Sequence, residues 1–553
     1  VYQILAEDIR ALGVECIFGL ISDDTADLIS ALDSLGIPIV GARHENNAVA
    51  MADGYAHACG RLAVAIIGRG PATANCLHAT VSTSRTGSPI LVIFGDAPSG
   101  SFANPIGPDY KRLDADGVLG AAGVRCFTAT GADTARSALA DAVAAANQGT
   151  LAALLLPTNV LNAKGEASGA PLAASPTRSP QPARAQSIAT AAALLEKSRR
   201  PVILAGRGAH KAGARQALER LAGKTGALLI TSMLGKDMFR GSPYALGILG
   251  SFSHSLGRRM VGQADCVVAF GAGLNFLTMS FGASLPAVPL IHVDQERSHI
   301  GRWSAADVAV VGDARVVAEQ LAAALPDRPA SAKPFHSKET LTAIAEFDLS
   351  RDFIAANTER TLDARTLGLA LDKILPADRH VVYDAGNFLS IVPYLGVPNP
   401  GRVKMTNEFA SIGMGFGTAL GVSRGARDAT TVLVIGDGGF LMTIGELETV
   451  VREDLPLTII VMNDCAYGAE LHLLRAHGLS PHISQYPDVD YAPIAQSLGF
   501  EAATVRTLDD LRAAAPLLAK AREPVLIDCK LNAEVAAPFT GEFAEYAART
   551  SKP

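Results

Sequence analysis

Asp437 and Asp464 lie 27 positions apart, and each follows an apolar run, 432–435 and 457–462, that reads as a buried strand. Gly436, Gly438 and Gly439 surround Asp437, where a sharp turn needs residues without a Cβ. A helix is expected over 443–452, with Ile444, Leu447, Val450 and Val451 on one side. Consecutive parallel strands joined by a helix end on the same sheet edge, so the two carboxylates can meet there. Two hard oxygen ligands beside glycine-freed N–H groups suit Mg²⁺ or Ca²⁺ holding a phosphate. The plain alternative is an ordinary strand-to-helix turn that happens to read Gly-Asp-Gly.

The elements that must position these groups repeat along 553 residues, enough chain for three or four domains. An apolar content of 49%, a charged content of 18% and a net charge of −6 exclude a disordered chain. Dispersed basic residues give no nucleic-acid footprint, and no apolar run has the length of a membrane span. The first residues read as an amphipathic helix rather than a secretory or transit signal. Seven cysteines without a CxxC pair read as small core fillers, which places the protein in the reduced cytoplasm. Strands are expected at 37–40, 62–67, 90–94 and 152–156, with Cys16, Ile17 and Phe18 leading into a loop. Further strands are expected at 202–205, 228–231, 267–270, 290–293 and 308–311, then at 381–383, 431–435, 457–462 and 525–527. The fold class is therefore α/β, three doubly wound parallel-sheet domains. The boundaries read 1–162, a linker 163–187, 188–326, a linker 327–350, 351–531, and a tail or lid 532–553.

The run Gly436-Asp437-Gly438 followed by Asn463-Asp464 resembles the GDG…NN signature of thiamine-diphosphate (ThDP) enzymes. That resemblance implies that Asp437, Asp464 and the Ala466 carbonyl hold Mg²⁺, with Gly436, Gly438, Gly439, Tyr467 and Gly468 around the diphosphate. Asp464 departs from the pattern, which has Asn there, and adds negative charge beside a diphosphate. Arg43-His44-Glu45-Asn46-Asn47, running on to Met51-Ala52-Asp53-Gly54-Tyr55-Ala56, resembles the family's RHE…MADGYA stretch. Glu45 would then bond ring N1′ of the aminopyrimidine and favour the tautomer whose imino group takes the C2 proton. Such a Glu is expected in an apolar slot that raises its pKa; the alternative is a salt bridge with Arg43. Gly70-Pro71-Ala72-Thr73-Ala74-Asn75 resembles the family's turn under the pyrimidine, which implicates Pro71 and Asn75. Ser411-Ile412-Gly413 resembles the segment whose bulky side chain bends the cofactor. Ile412 takes that role and the Ala410 carbonyl would accept from the amino group. Gly386 and Asn387 match a diphosphate contact after the strand ending at Asp384. The resemblance covers the chain in the order pyrimidine-binding, central and diphosphate-binding domain. In this family the two outer domains that share a cofactor come from different subunits, so a homodimer and beyond it a homotetramer are implied.

The substrate is less legible. ThDP enzymes act on 2-oxo acids, aldehydes or 2-hydroxyacyl compounds, and a small carbonyl substrate is expected, with no nucleic acid or membrane partner. Asp23 and Glu470 match proton-handling positions of pyruvate decarboxylases, although Ile21 and Ser22 replace the Pro-Gly before that Asp. The loop Asp109-Tyr110-Lys111-Arg112 carries neither the decarboxylases' His pair nor the Phe-Gln of acetolactate synthases. Ser22, Asp24, Arg69 and Arg112 are candidate pocket residues, the arginines for an anionic substrate group. His78, His472 and His477 read as packing or surface histidines. The reaction expected is 2-oxo acid decarboxylation with carboligation. Alternatives are an acetolactate-synthase-like ligase, a 2-hydroxyacyl lyase and a silent regulatory relative. The central domain resembles the part that binds FAD or ADP in some members, but the usual Gly-Ala-Arg reads Gly271-Ala272-Gly273, so no FAD is expected. A dehydrogenase would need GxGxxG; Gly206-Arg207-Gly208 lacks the third glycine.

Overall fold

A computed structural model describes residues 1–100, 110–165, 170–173, 179–327, 335–520 and 522–550. Three six-stranded sheets, parallel throughout, follow one another along the chain. The first holds β1 (Ile17–Gly19), β2 (Ile39–Gly41), β3 (Ala63–Ile67), β4 (Ile90–Asp96), β5 (Arg125–Thr128) and β6 (Leu151–Pro157), in the order β2-β1-β3-β4-β6-β5. The second holds β7 (Pro201–Ala205), β8 (Leu228–Thr231), β9 (Ala245–Ile248), β10 (Cys266–Phe270), β11 (Leu290–Asp294) and β12 (Val308–Val311), ordered β12-β11-β10-β7-β8-β9. The third holds β13 (Arg379–Tyr383), β14 (Val403–Met405), β15 (Thr430–Gly436), β16 (Leu457–Asn463), β17 (Glu501–Val505) and β18 (Val525–Lys530), ordered β14-β13-β15-β16-β18-β17. The outer two sheets thus share one strand order, and the middle one has the order of dinucleotide-binding sheets. Central strands such as β3, β4, β6 and β13 are buried along their whole length, as a parallel sheet covered by helices on both faces requires.

The predicted strands are present, and five more accompany them. β5, β9, β14 and β17 are sheet edges; β5, β9 and β17 are half-exposed mixed sequence with little periodic signal, and β14 is a buried run of only three residues. β1 is a three-residue strand inside the first sheet, formed by Ile17 and Phe18, which were expected only to lead into a loop, with Gly19. The expected 443–452 helix is instead two helices, Asp437–Thr443 and Glu446–Arg452. Helix therefore begins at Asp437 itself, because the tertiary approach at this edge overrides the low helix propensity of glycine. The tail is not featureless: Pro538–Thr550 is a helix. Its Phe539 meets Phe252, and Phe543 and Tyr546 meet Phe281. Part of the second expected linker is the helix Lys338–Ala345.

The helices Glu45–Cys59 and Met414–Gly425 pack side by side in parallel and join the outer domains. A Cβ on Gly54 would overlap the Thr418 carbonyl oxygen, one on Gly421 the Met51 carbonyl oxygen, and one on Gly417 would lie 2.9 Å from the Ala50 Cβ. Small residues on both faces let the backbones approach closely. Both helices start at the C-terminal edges of their sheets, the edge where open parallel sheets bind ligands.

Candidate functional site

Asp384 follows β13, Asp437 ends β15, and Asp464 follows β16. The first is fully buried, and its carboxylate accepts from the N–H of Gly413 (2.7 Å), the N–H of Gly415 (3.0 Å) and the Thr406 hydroxyl (3.0 Å). It thereby pins the segment Ala410–Met414 to the sheet edge, although burial pushes its pKa up. Sequence reasoning saw this Asp only as a strand end. Asp437 is 2% exposed; Oδ1 accepts from the Gly438 N–H at 3.0 Å, and Oδ2 is buried with no hydrogen-bond partner. Asp464 Oδ1 accepts from the Ala466 N–H at 3.2 Å. Both carboxyls titrate well above the ordinary range, through burial first and, for Asp464, through the charge of Asp437 next. Cys465 between them has φ +55°, a left-handed conformation that non-glycine residues adopt only when their surroundings hold them. The hold comes from the Tyr486 N–H on the Cys465 carbonyl (3.0 Å) and the Tyr467 N–H on the Ser484 carbonyl (2.8 Å).

A buried carboxylate with a half-buried one beside it at the same edge is costly unless a cation lies between them. Among the described residues no group of three or more His, Cys, Asp or Glu side chains is arranged to hold a metal. Two carboxylates and a carbonyl, completed by oxygens from a phosphate, are the donor chemistry a hard cation takes. A Cβ on Gly438 would lie 2.6 Å from the Tyr467 ring and one on Gly439 2.5 Å from Asp384 Oδ2, so the backbone at this helix start is bare. Its N–H groups suit a diphosphate. The Asn387 side chain is engaged elsewhere, donating to the Val535 carbonyl at 2.8 Å and accepting from the Ala537 N–H at 2.7 Å. It anchors the tail, and Gly386 offers backbone alone.

Glu45 is the first residue of its helix, half-buried, and accepts from Asn75 Nδ2 at 3.0 Å. Within one chain it is not enclosed in an apolar slot. The alternative partner, Arg43, is paired instead with Glu448, its Nε donating at 2.6 Å. Pro71 and Asn75 stand exposed nearby. The start of the Met414–Gly425 helix lies against this end, with Asn46 Nδ2 3.5 Å from Met414 Sδ. Ile412 is half-buried, and Ala410 is exposed with φ +55°.

Comparison with known proteins shows the family. The thiamine pyrophosphate enzyme N-terminal TPP-binding domain matches residues 1–113, the central domain 188–321 and the C-terminal TPP-binding domain 384–529. The chain belongs to the thiamine pyrophosphate enzyme family. It is 26% identical to a probable acetolactate synthase large subunit of Methanocaldococcus jannaschii, over 97% of this chain and 93% of that one. It is 25% identical to the sulfoacetaldehyde acetyltransferase of Castellaniella defragrans, over 97% and 94%. Against a probable 2-ketoarginine decarboxylase of Pseudomonas aeruginosa the identity is 28%, over 92% and 90%. In this thiamine pyrophosphate (ThDP) enzyme the two TPP-binding domain models fall on the first and third sheets, with Glu45 in the first match and Asp437 and Asp464 in the second.

The remaining predicted residues of this ThDP enzyme fall into two groups. Asp24 is buried and structural in its bonds: it accepts from the Arg69 N–H at 2.7 Å and from the Ser22 hydroxyl, and a Cβ on Gly95 would overlap it. Asp23 is exposed and ion-paired with Lys111, which holds its carboxyl down to about 2. Glu470 is exposed in the first turn of the helix Gly468–Ala476. Arg69 and Arg112 are partly buried; Asp109 lies outside the described residues. His472 is buried, which lowers its pKa, His477 is exposed, and the His78 ring lies 6.4 Å from that of Phe409. In the central domain the Gly208 N–H donates to the Gly271 carbonyl at 2.9 Å, and a Cβ on Gly206 would overlap that carbonyl. These glycines answer a close approach of two strand-end turns.

Proposed function

We propose that this enzyme uses ThDP and Mg²⁺ to cleave or form a C–C bond next to a carbonyl, decarboxylating a 2-oxo acid and joining the acyl unit to a second carbonyl compound. The observation that carries the reading is the buried Asp437, whose Oδ2 has no hydrogen-bond partner, with the half-buried Asp464 at the end of the neighbouring strand. Those carboxylates and the Ala466 carbonyl would hold Mg²⁺, and the bare backbone at Gly438 and Gly439 would receive the diphosphate. Bound there, ThDP supplies a nucleophilic carbon for the substrate carbonyl. Ile412 would prop the cofactor's bend, the Ala410 carbonyl would accept from its amino group, and Glu45 would hold a proton at its pyrimidine nitrogen. Glu470 moves protons at the substrate; the ion-paired Asp23 contributes fixed negative charge at that mouth. The names of the similar proteins span ligation, acetyl transfer and decarboxylation, and likeness to an acetolactate synthase over nearly the whole chain favours ligation as the second reading. The product formed from pyruvate, acetolactate or acetaldehyde, separates the two.

A second copy completes this reading. The half-open Glu45 with exposed Pro71 and Asn75, and the exposed Phe409, Ala410, Leu441 and Met442, are surfaces that a homodimer would join, with a homotetramer built from such dimers. Seven free cysteines fit the reduced cytoplasm. Glu45→Gln is expected to lower turnover of a 2-oxo acid about 10²- to 10⁴-fold with an unchanged circular dichroism spectrum. Wild-type turnover in that variant would sink the assignment. A screen of 2-oxo acids with ThDP and Mg²⁺ identifies the substrate.

A further inference from the structure

A cleft of about 460 Å³ opens where the outer domains meet, on the sheet edge opposite Asp384, Asp437 and Asp464. His57, at the end of the Glu45–Cys59 helix, and Ala426, after the Met414–Gly425 helix, line it, together with His380 in β13, Arg402 and Asp428. The central domain stands behind: a Cβ on Gly401 would lie 3.0 Å from His210 Nε2.

Two imidazole nitrogens here have no hydrogen-bond partner. His380 is 4% exposed, and its Nε2 is bonded to an Arg402 guanidinium N–H. Arginine only donates, so Nε2 accepts and the imidazole proton sits on Nδ1. That Nδ1–H is buried without a partner, and so is His57 Nε2. Burial and then Arg402 push the His380 pKa down to about 4. Burial, then Lys404 and the further positive charges of Arg207 and Lys211 press His57 well below its ordinary value. Of the nearby cations, Lys404 is matched by Asp53 at 2.7 Å and Arg402 reaches Asp378 at 3.1 Å. Buried donors left unmatched in a positive field are what a bound anion would satisfy.

We infer that this cleft binds a small phosphate-bearing anion, whose oxygens accept from the Arg402 guanidinium and from the free nitrogens of His380 and His57. A tetrahedral dianion suits donors that converge from separate elements, and its second charge outweighs the repulsion of Asp428; a planar monoanionic carboxylate does neither. The cleft lies at the far end of the two helices that start at Glu45 and beside Ile412, roughly 20 Å away for a 15-residue helix. It is separate from the diphosphate-type site and does not depend on which reaction the enzyme runs.

The test is calorimetric titration of inorganic phosphate and of glycerol phosphate into enzyme saturated with ThDP and Mg²⁺, so that the diphosphate site is filled. One saturable site per chain is expected. Arg402→Gln should weaken it about tenfold or more, and Asp428→Asn should tighten it about two- to fivefold. Both changes are on solvent-reached side chains, and circular dichroism checks their folding. The absence of saturable binding by either probe, unchanged affinity in both variants, or acetate binding as tightly as phosphate would overturn the inference.

Discussion

In metal-free protein, Asp437 and Asp464 face one another where little water screens them. Both hold protons to higher pH folded than unfolded, and Asp384 is raised in the same direction. Across the window between the unfolded value, about 4, and neutrality, the folded state binds more protons, so stability falls as pH rises through it. The melting temperature of the apoprotein should therefore drop from about pH 5 towards pH 7.5. Saturating ThDP and Mg²⁺ should flatten that slope, and Asp464→Asn should flatten it without any cofactor. An apoprotein slope unchanged in Asp464→Asn would show that the two carboxylates do not repel. At this scale the placement of the acids was legible: Asp437 and Asp464 stand at the ends of adjacent parallel strands, as their spacing and the glycines beside them predicted. Asp384 was not, because its task is to receive two backbone N–H groups from residues some thirty positions on, and nothing local marks that. Nor did the sequence foretell that Asn387 would spend its amide on the tail.

The parallel pair Glu45–Cys59 and Met414–Gly425 depends on backbone contact, so its glycines should not tolerate a methyl group. Gly421→Ala is expected to cost about 1–3 kcal/mol, seen as a lower melting temperature. Gly223→Ala, exposed within the helix Arg215–Thr225 and with nothing within 4 Å of the new Cβ, should stabilise by about 0.5–1 kcal/mol. The reverse ranking would refute the close-packed seam. Elements buried on both faces were readable from apolar runs. The edge strands and the start of the helix at Asp437 were not, since their order is imposed by neighbours rather than by their own periodicity. The tail helix escaped for a similar reason: three aromatic contacts, rather than a continuous apolar stripe, hold it to the central domain.

At the scale of the whole molecule, the proposal that two copies share each site has a test that an isolated chain cannot imitate. Glu45→Gln and Asp437→Ala chains, each inactive alone, are to be co-expressed and purified together. In a twofold dimer of one chain of each kind, one site carries both defects and the other carries neither. Random pairing should restore about a quarter of wild-type sites. Mixtures as inactive as either parent would place each site within a single chain. No sequence shows which copy of Glu45 meets which copy of Asp437, because that is a property of assembly. The helix seam also has a history in time. Its first half leaves the ribosome with Cys59, and its second half is complete only at Gly425, roughly 360 residues or 20–70 s of synthesis later. Throughout that interval a bare small-residue face waits for a partner not yet made. Nascent chains of this protein should therefore lean on chaperones, and slower translation of the middle domain should lower the yield of soluble enzyme.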